Sequence, residues 1–153
     1  TTSMNSIESA HEHCIEVCNG LLRGELSAIE TYEQAIEKHS DSPAATELRR
    51  ICSEHSRAAN RITANVRQMG GEPEEGSGAW GVFANAVQGT ANLFGAGSAL
   101  ESLKRGEEAG RQDYQDALLD DDVMPECKQM IRDELLPPVI EHIASLDRLE
   151  QTA

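Results

Sequence analysis

The chain has 153 residues, enough for one domain that buries a core without help from disulfides or metal. Its 27 acidic and 13 basic side chains leave a net charge of −14, which repels phosphate backbones and anionic lipid and excludes nucleic acid and membrane surfaces as partners. Aromatic residues make up only 3 %, so a helical bundle of Leu, Ile and Ala is expected rather than a β-sandwich.

No N-terminal signal pattern is present, and no apolar run is long enough to span a bilayer. The nearest, 79–100, is interrupted by Gly81, Asn85, Gln88, Gly89, Asn92, Gly95 and Gly97. Cys14, Cys18, Cys52 and Cys127 do not form a disulfide framework and read as cytoplasmic thiols.

Residues 5–39 alternate in threes and fours. Ile7, His11, Cys14, Cys18, Leu21, Glu25, Ala28, Tyr32 and Ala35 share one stripe, which predicts a long bundle helix opened by an Asn5/Glu8 capping box. A short turn follows, with Pro43 suited to the first position of a second helix. That helix carries Leu48, Cys52, His55, Ala59, Ile62, Val66 and Met69, and Gly70-Gly71 ends it. So short a link makes the two helices antiparallel neighbours.

Residues 71–97 form a long crossover. Trp80, Phe83, Val87, Ala91 and Phe94 fall on one face of a short helix, whose polar side lacks the Lys and Arg of a membrane-surface helix. A packing role is expected for it, and its apolar face needs cover, which points to a homodimer. Ser98 and Glu101 form a capping box for the third helix, with Leu100, Leu103, Glu107, Gly110, Tyr114 and Ala117 on its stripe. Asp120-Asp121-Asp122 ends that helix and offers negative charge to the start of the fourth. The fourth carries Ile131, Leu135, Val139, His142, Leu146 and Leu149. Pro137-Pro138 within it predicts a kink or break one turn before His142.

The chain repeats itself. Residues 21–36 match 103–118, pairing Gly24-Glu25 with Gly106-Glu107 and Tyr32 with Tyr114. Glu47-Leu48 and Glu54-His55 match Glu134-Leu135 and Glu141-His142 in the same way. The expected architecture is all-α: one four-helix-bundle domain over 1–153, built from a hairpin at 5–70, a crossover at 71–97 and a second hairpin at 98–151. Each hairpin buries a glutamate and a histidine: Glu25 with His55, and Glu107 with His142. A buried carboxylate must be paired, protonated or bound to a cation. Carboxylate oxygen and imidazole nitrogen suit Fe, Mn or Zn.

Gly-Glu-x6-Tyr on the first and third helices, with Glu-His on the second and fourth, resembles the ferritin-like superfamily and its rubrerythrin-related bundles. The pattern is most similar to a bacterial ferritin-like family of unknown function, through Gly70-Gly71-Glu72-Pro73 and Trp80. The resemblance implies an up-down bundle and, in di-iron members, six protein ligands. Glu25 and Glu107 match the terminal carboxylates, and His55 and His142 match the imidazoles. Cys52 and Val139 stand where the two bridging carboxylates would be. Without those carboxylates two neighbouring cations repel with little compensation.

Two accounts of the core follow. Glu25, His55, Glu107, His142 and Cys52 hold one divalent ion, with Tyr32 and Tyr114 behind them; or the same groups form a metal-free polar network that sets helix register. Glu54 and Glu141, one position from the histidines, are expected on the bundle flank, rotated by roughly 100°. The expected function is a non-catalytic oligomeric bundle with a degenerate di-metal site. The alternatives are an iron- or peroxide-handling oxidoreductase at the same residues, and a copper-binding bundle using the Cys14-x3-Cys18 thiols.

Overall fold

The computed structural model describes residues 2–76, 92–95 and 97–152, with side chains from Glu8 onward. Described strands are absent, and helices dominate: α1 (Thr2–Lys38), α2 (Ala45–Gln68), α3 (Ala99–Leu119), and a fourth rod made of α4 (Pro125–Met130), a π turn (Ile131–Leu135) and α5 (Leu136–Gln151). The face assigned to Trp80, Phe83, Val87 and Ala91 lies outside the described residues; Phe94 packs half-buried on the core.

The helix ends follow from local chemistry. α1 begins at Thr2, so Asn5 sits inside it instead of capping it. α2 begins at Ala45, two residues after Pro43. The turn before it is closed by Ser42, whose Oγ accepts the Ala44 N–H at 3.2 Å and whose carbonyl accepts the Ala45 N–H at 3.0 Å. At the other end of α2, Gly71 N–H donates to Val66 O and Gly70 N–H to Arg67 O, both at 2.9 Å, which is the Schellman pattern. Gly70 has φ +86°. Gly71 is required for a different reason: a Cβ there would lie 2.7 Å from Ile15 Cγ2 on α1.

Ser98 caps α3 as expected. Its Oγ accepts the Glu101 N–H at 3.2 Å, while Glu101 Oε2 accepts the Gly97 N–H at 3.1 Å. Asp120, at the end of α3, serves the turn and not the next helix. Its Oδ1 accepts the Asp122 N–H and its Oδ2 bonds His13 on α1 at 2.7 Å.

The break predicted at Pro137-Pro138 is a π turn. Ile131, Leu135 and Val139 are all buried, at a spacing of four. Eight residues in an α-helix overshoot two turns by about 80°. The wider turn absorbs that drift, with Leu136 N–H bonding to Ile131 O. It also spares the two prolines the amides they lack.

α1 packs on α2 and on α3, and α5 packs on α3 and α2. Cys52, His55 and Asn65 meet Ile29, Glu25 and Cys18 in turn, so α1 and α2 are antiparallel. Tyr32 meets Glu107 and Tyr114 meets Glu25, so α1 and α3 are antiparallel as well. α2 ends beside Ile15 and the thiols, whereas α3 starts among Ala44, Leu48 and Leu93. The segment between them therefore joins opposite ends of the bundle. No described helix is long and apolar enough to cross a membrane.

The apolar core falls into two clusters. One contains Cys14, Cys18, Leu22, Ile62, Cys127 and Leu135; the other contains Tyr32, Leu48, Ile51, Leu100, Leu103 and Leu146. On each of the four rods a buried polar residue separates them: Glu25, His55, Glu107 and His142.

Three glycines differ in what they tolerate. Gly70→Ala, at positive φ, should cost about 1–2 kcal/mol, and Gly71→Ala about 1–3 kcal/mol through the Ile15 clash. Gly110→Ala should stabilise by up to about 1 kcal/mol, because a Cβ there meets nothing within 4 Å. Urea midpoints of the three variants check the signs.

Candidate metal centre

The polar layer is assembled by helical register. Glu25 and Glu107 lie on the core stripes of α1 and α3, and His55 and His142 on those of α2 and α5, so all four converge at one level. His55 is central. Its Nδ1 lies 2.5 Å from Glu25 Oε2 and its Nε2 2.5 Å from Glu107 Oε1. With a carboxylate at each nitrogen, the ring is a cation that donates at both. Burial works against that charge, but the Glu107 and Glu25 carboxylates outweigh it and hold the His55 pKa well above 6.5. Burial likewise opposes ionisation of Glu107; the His55 charge and the two imidazole hydrogen bonds nevertheless hold its pKa down to about 2.

His142 makes the matching pair of contacts with one change of partner. Its Nδ1 lies 3.2 Å from Glu107 Oε1, and its Nε2 lies 2.8 Å from Glu54 Oε1. Glu54 was expected on the flank. It is partly buried, and Arg50 anchors its second oxygen at 2.7 Å. Arg50 also ion-pairs with Glu47. Burial disfavours the Glu54 charge, but His142 and Arg50 keep its pKa low. The sequence reading missed Glu54 because it stands one residue off the stripe, and only the packing of α5 on α2 brings His142 to it. Its repeat mate Glu141 stays on the surface, paired with Arg148.

The tyrosines close the layer crosswise. Tyr32 Oη donates to Glu107 Oε1 at 2.9 Å, and Tyr114 Oη donates to Glu25 Oε1 at 2.5 Å. Each tyrosine thus serves the glutamate of the other repeat, because α1 and α3 run antiparallel. Burial, reinforced by the acceptor carboxylate, keeps both phenols protonated.

One ligand atom from each of His55, Glu107 and His142 lies within 4.8 Å of the other two, the spacing of a site that could hold a metal ion. This is the one such group among the described residues. Glu25 stands outside it, on the far nitrogen of His55. Cys52 is turned away, its thiol 3.8 Å from the Ile29 carbonyl, and burial raises its pKa. A two-metal centre does not fit these residues. Three residues before the two histidines stand Cys52 and the buried Val139, which supply no carboxylate to bridge a second ion. Beside Glu25 and Glu107, between Gly24, Gly106 and Gly110, lies a cavity of ≈ 20 Å³, room for about one water molecule.

The thiols pair differently from the Cys14-x3-Cys18 reading. Cys14 Sγ accepts the Met124 N–H at 3.2 Å, where α4 begins. Cys18 instead shares the Asn65 amide with Cys127, Nδ2 lying 3.6 Å from Cys18 Sγ and 3.7 Å from Cys127 Sγ. Donors from Cys18, Asn65 and Cys14 outweigh burial and lower the Cys127 pKa to about 6, while Cys18 is raised.

A family model described as a domain of unknown function (DUF2383) matches residues 13–120. That span contains Glu25, His55 and Glu107, and stops short of Cys127 and His142. No curated protein and no solved structure matches.

The layer fixes a pH window. Glu107 falls on folding from 4.5 to about 2, so its contribution is present above pH 4.5 and is lost as pH falls toward 2. The His55 value rises on folding, so its contribution is complete below pH 6.5 and is lost as pH climbs through the folded value. Thermal midpoints across pH should therefore peak between 4.5 and 6.5. Tyr32→Phe, which removes a donor from a buried charge, should cost about 1.5–3 kcal/mol by chemical denaturation.

Proposed function

We propose that this chain, which belongs to the DUF2383 family of domains of unknown function, is a non-catalytic, ferritin-like bundle whose ancestral two-metal centre is reduced to one divalent-cation site. Support for the ferritin-like reading comes from the paired repeats and the antiparallel α1 and α3. It comes also from a connection between α2 and α3 that joins opposite ends of the bundle.

The observation that carries the metal reading is the way each histidine is shared. His55 turns Nε2 and His142 turns Nδ1 toward Glu107, while Glu25 and Glu54 hold the opposite nitrogens. A carboxylate behind each imidazole is the usual support of a metal-bound histidine, fixing tautomer and ring orientation. His55, Glu107 and His142 would be the ligands. Charge supports the same valence: Glu25 and Glu107 are the two buried carboxylates, and a divalent cation offsets both, while the half-buried Glu54 pairs with Arg50. Two nitrogens and a carboxylate suit Zn, Fe or Mn. The cation would displace the His55 proton at Nε2, so uptake strengthens as pH rises.

Protein purified without chelator and titrated with Zn(II), Mn(II) or anaerobic Fe(II) should take up one equivalent per chain. Glu107→Gln should abolish that uptake, and Glu25→Gln or Glu54→Gln should weaken it about 10–100-fold. Two equivalents, or none, would overturn the reading. The cavity beside Glu25 and Glu107 favours a second reading, an iron- or peroxide-handling oxidoreductase. Fe(II) oxidation faster than in Glu107→Gln protein would establish it over the non-catalytic one. A homodimer formed through the crossover face completes the proposal. Sedimentation at micromolar concentration should give twice the chain mass, and a monomer would refute it.

A further inference from the structure

The apolar cluster that ends in α4 contains a second group of ligating atoms, which the carboxylate layer does not use. Cys14 and Cys18 come from α1, Cys127 from α4, and Met69 from the end of α2. The three thiols are buried and none is in a disulfide. Cys127 Sγ lies 4.0 Å from Met69 Sδ. Asn65 Nδ2 sits between two of the sulfurs, 3.6 Å from Cys18 Sγ and 3.7 Å from Cys127 Sγ. An amide placed there donates to sulfur that carries negative charge, as a metal thiolate does.

We propose that Cys18, Cys127 and Met69 form a binding site for a soft monovalent cation, Cu(I), separate from the carboxylate layer and independent of what that layer binds. The spacing fits. With metal–sulfur bonds of about 2.3 Å, two sulfurs on one ion stand about 3.8–4.0 Å apart. The donor set fits as well. Thiolate with thioether is the soft combination that selects Cu(I), whereas the oxygen and nitrogen donors that Fe or Mn would require are concentrated in the other layer. Leu22, Ile62, Val66, Met130 and Ile131 share the apolar cluster with these sulfurs, a setting that disfavours a harder, more strongly hydrated ion. Cys14 is held by the Met124 amide and stands as a reserve donor at the edge of the site. Asn65 acts as a positioning residue, through its amide on both thiolates.

Reduced protein should be titrated anaerobically with Cu(I) in competition with a coloured Cu(I) chelator. Wild type should withhold one equivalent, with a thiolate-to-copper charge-transfer band in the ultraviolet. Cys18→Ser and Cys127→Ser should weaken that equivalent by more than about 100-fold, because losing a ligand costs more than the 10–100-fold of an outer-shell change. Met69→Leu keeps the side-chain volume and should weaken it about 10-fold while circular dichroism stays native. Cys52→Ser, at the carboxylate layer, should leave it unchanged. The proposal falls if the chelator strips wild type and Met69→Leu equally. It falls also if Zn(II) occupies the site and resists replacement by Cu(I), or if reduced protein takes no copper while peroxide joins Cys18 to Cys127 as a disulfide.

Discussion

Everything else in this bundle must accommodate one buried cation held between two buried anions. His55 sits between Glu25 and Glu107, at the middle of four helices that are otherwise apolar. Desolvating three charges is expensive, and each is tolerated only because the geometry of the others is satisfied. The layer therefore constrains register. Sliding any rod by one turn would leave an uncompensated charge between two hydrophobic clusters. The cross-bonding of Tyr32 to Glu107 and Tyr114 to Glu25 extends that constraint to the relative position of the two repeats.

The same layer accounts for the irregularities of the chain. The π turn at Ile131–Leu135 keeps a spacing of four on the core face, and delivers His142 to Glu107 and Glu54 despite two adjacent prolines. The repeat is broken where the chemistry is. The counterpart of Arg50, which anchors Glu54, is Pro137, so Glu54 joins the layer while Glu141 remains in solvent. An internally duplicated chain has become asymmetric at the residues that decide how many cations its core could hold. The asymmetry reaches the other end of the core, where Cys18 and Cys127 have no thiol counterparts in the opposite half.

Much of this was legible from residue spacing. The helices were, because threefold and fourfold alternation marks the buried face of each. The inward position of Glu25, His55, Glu107 and His142 follows from the same stripes. Ser98 was readable as a cap and Gly70-Gly71 as a stop, since both act through their own backbone. The start of α1 was not, because the helix runs past Asn5 to Thr2. Glu54 was hidden, because a residue one step off the stripe reaches inward only if its neighbour helix brings a partner. Cys127 was hidden for a similar reason: it lies far from Cys18 in sequence, and nothing local links the two.

The amino-acid sequence by itself determined which residues are inside, since burial follows from hydrophobic periodicity and local turn chemistry, both properties of short stretches. It also determined that ionisable groups must meet there. Only the tertiary structure decided which atom meets which. Hydrogen bonds and ion pairs depend on distances of a fraction of an ångström between separate helices. Those distances are set by the antiparallel packing of α1 on α3, the π turn before α5 and the Schellman close of α2. The pairing of His55 with two carboxylates, of His142 with Glu54, and of Asn65 with the Cys18 and Cys127 sulfurs exists only at that level.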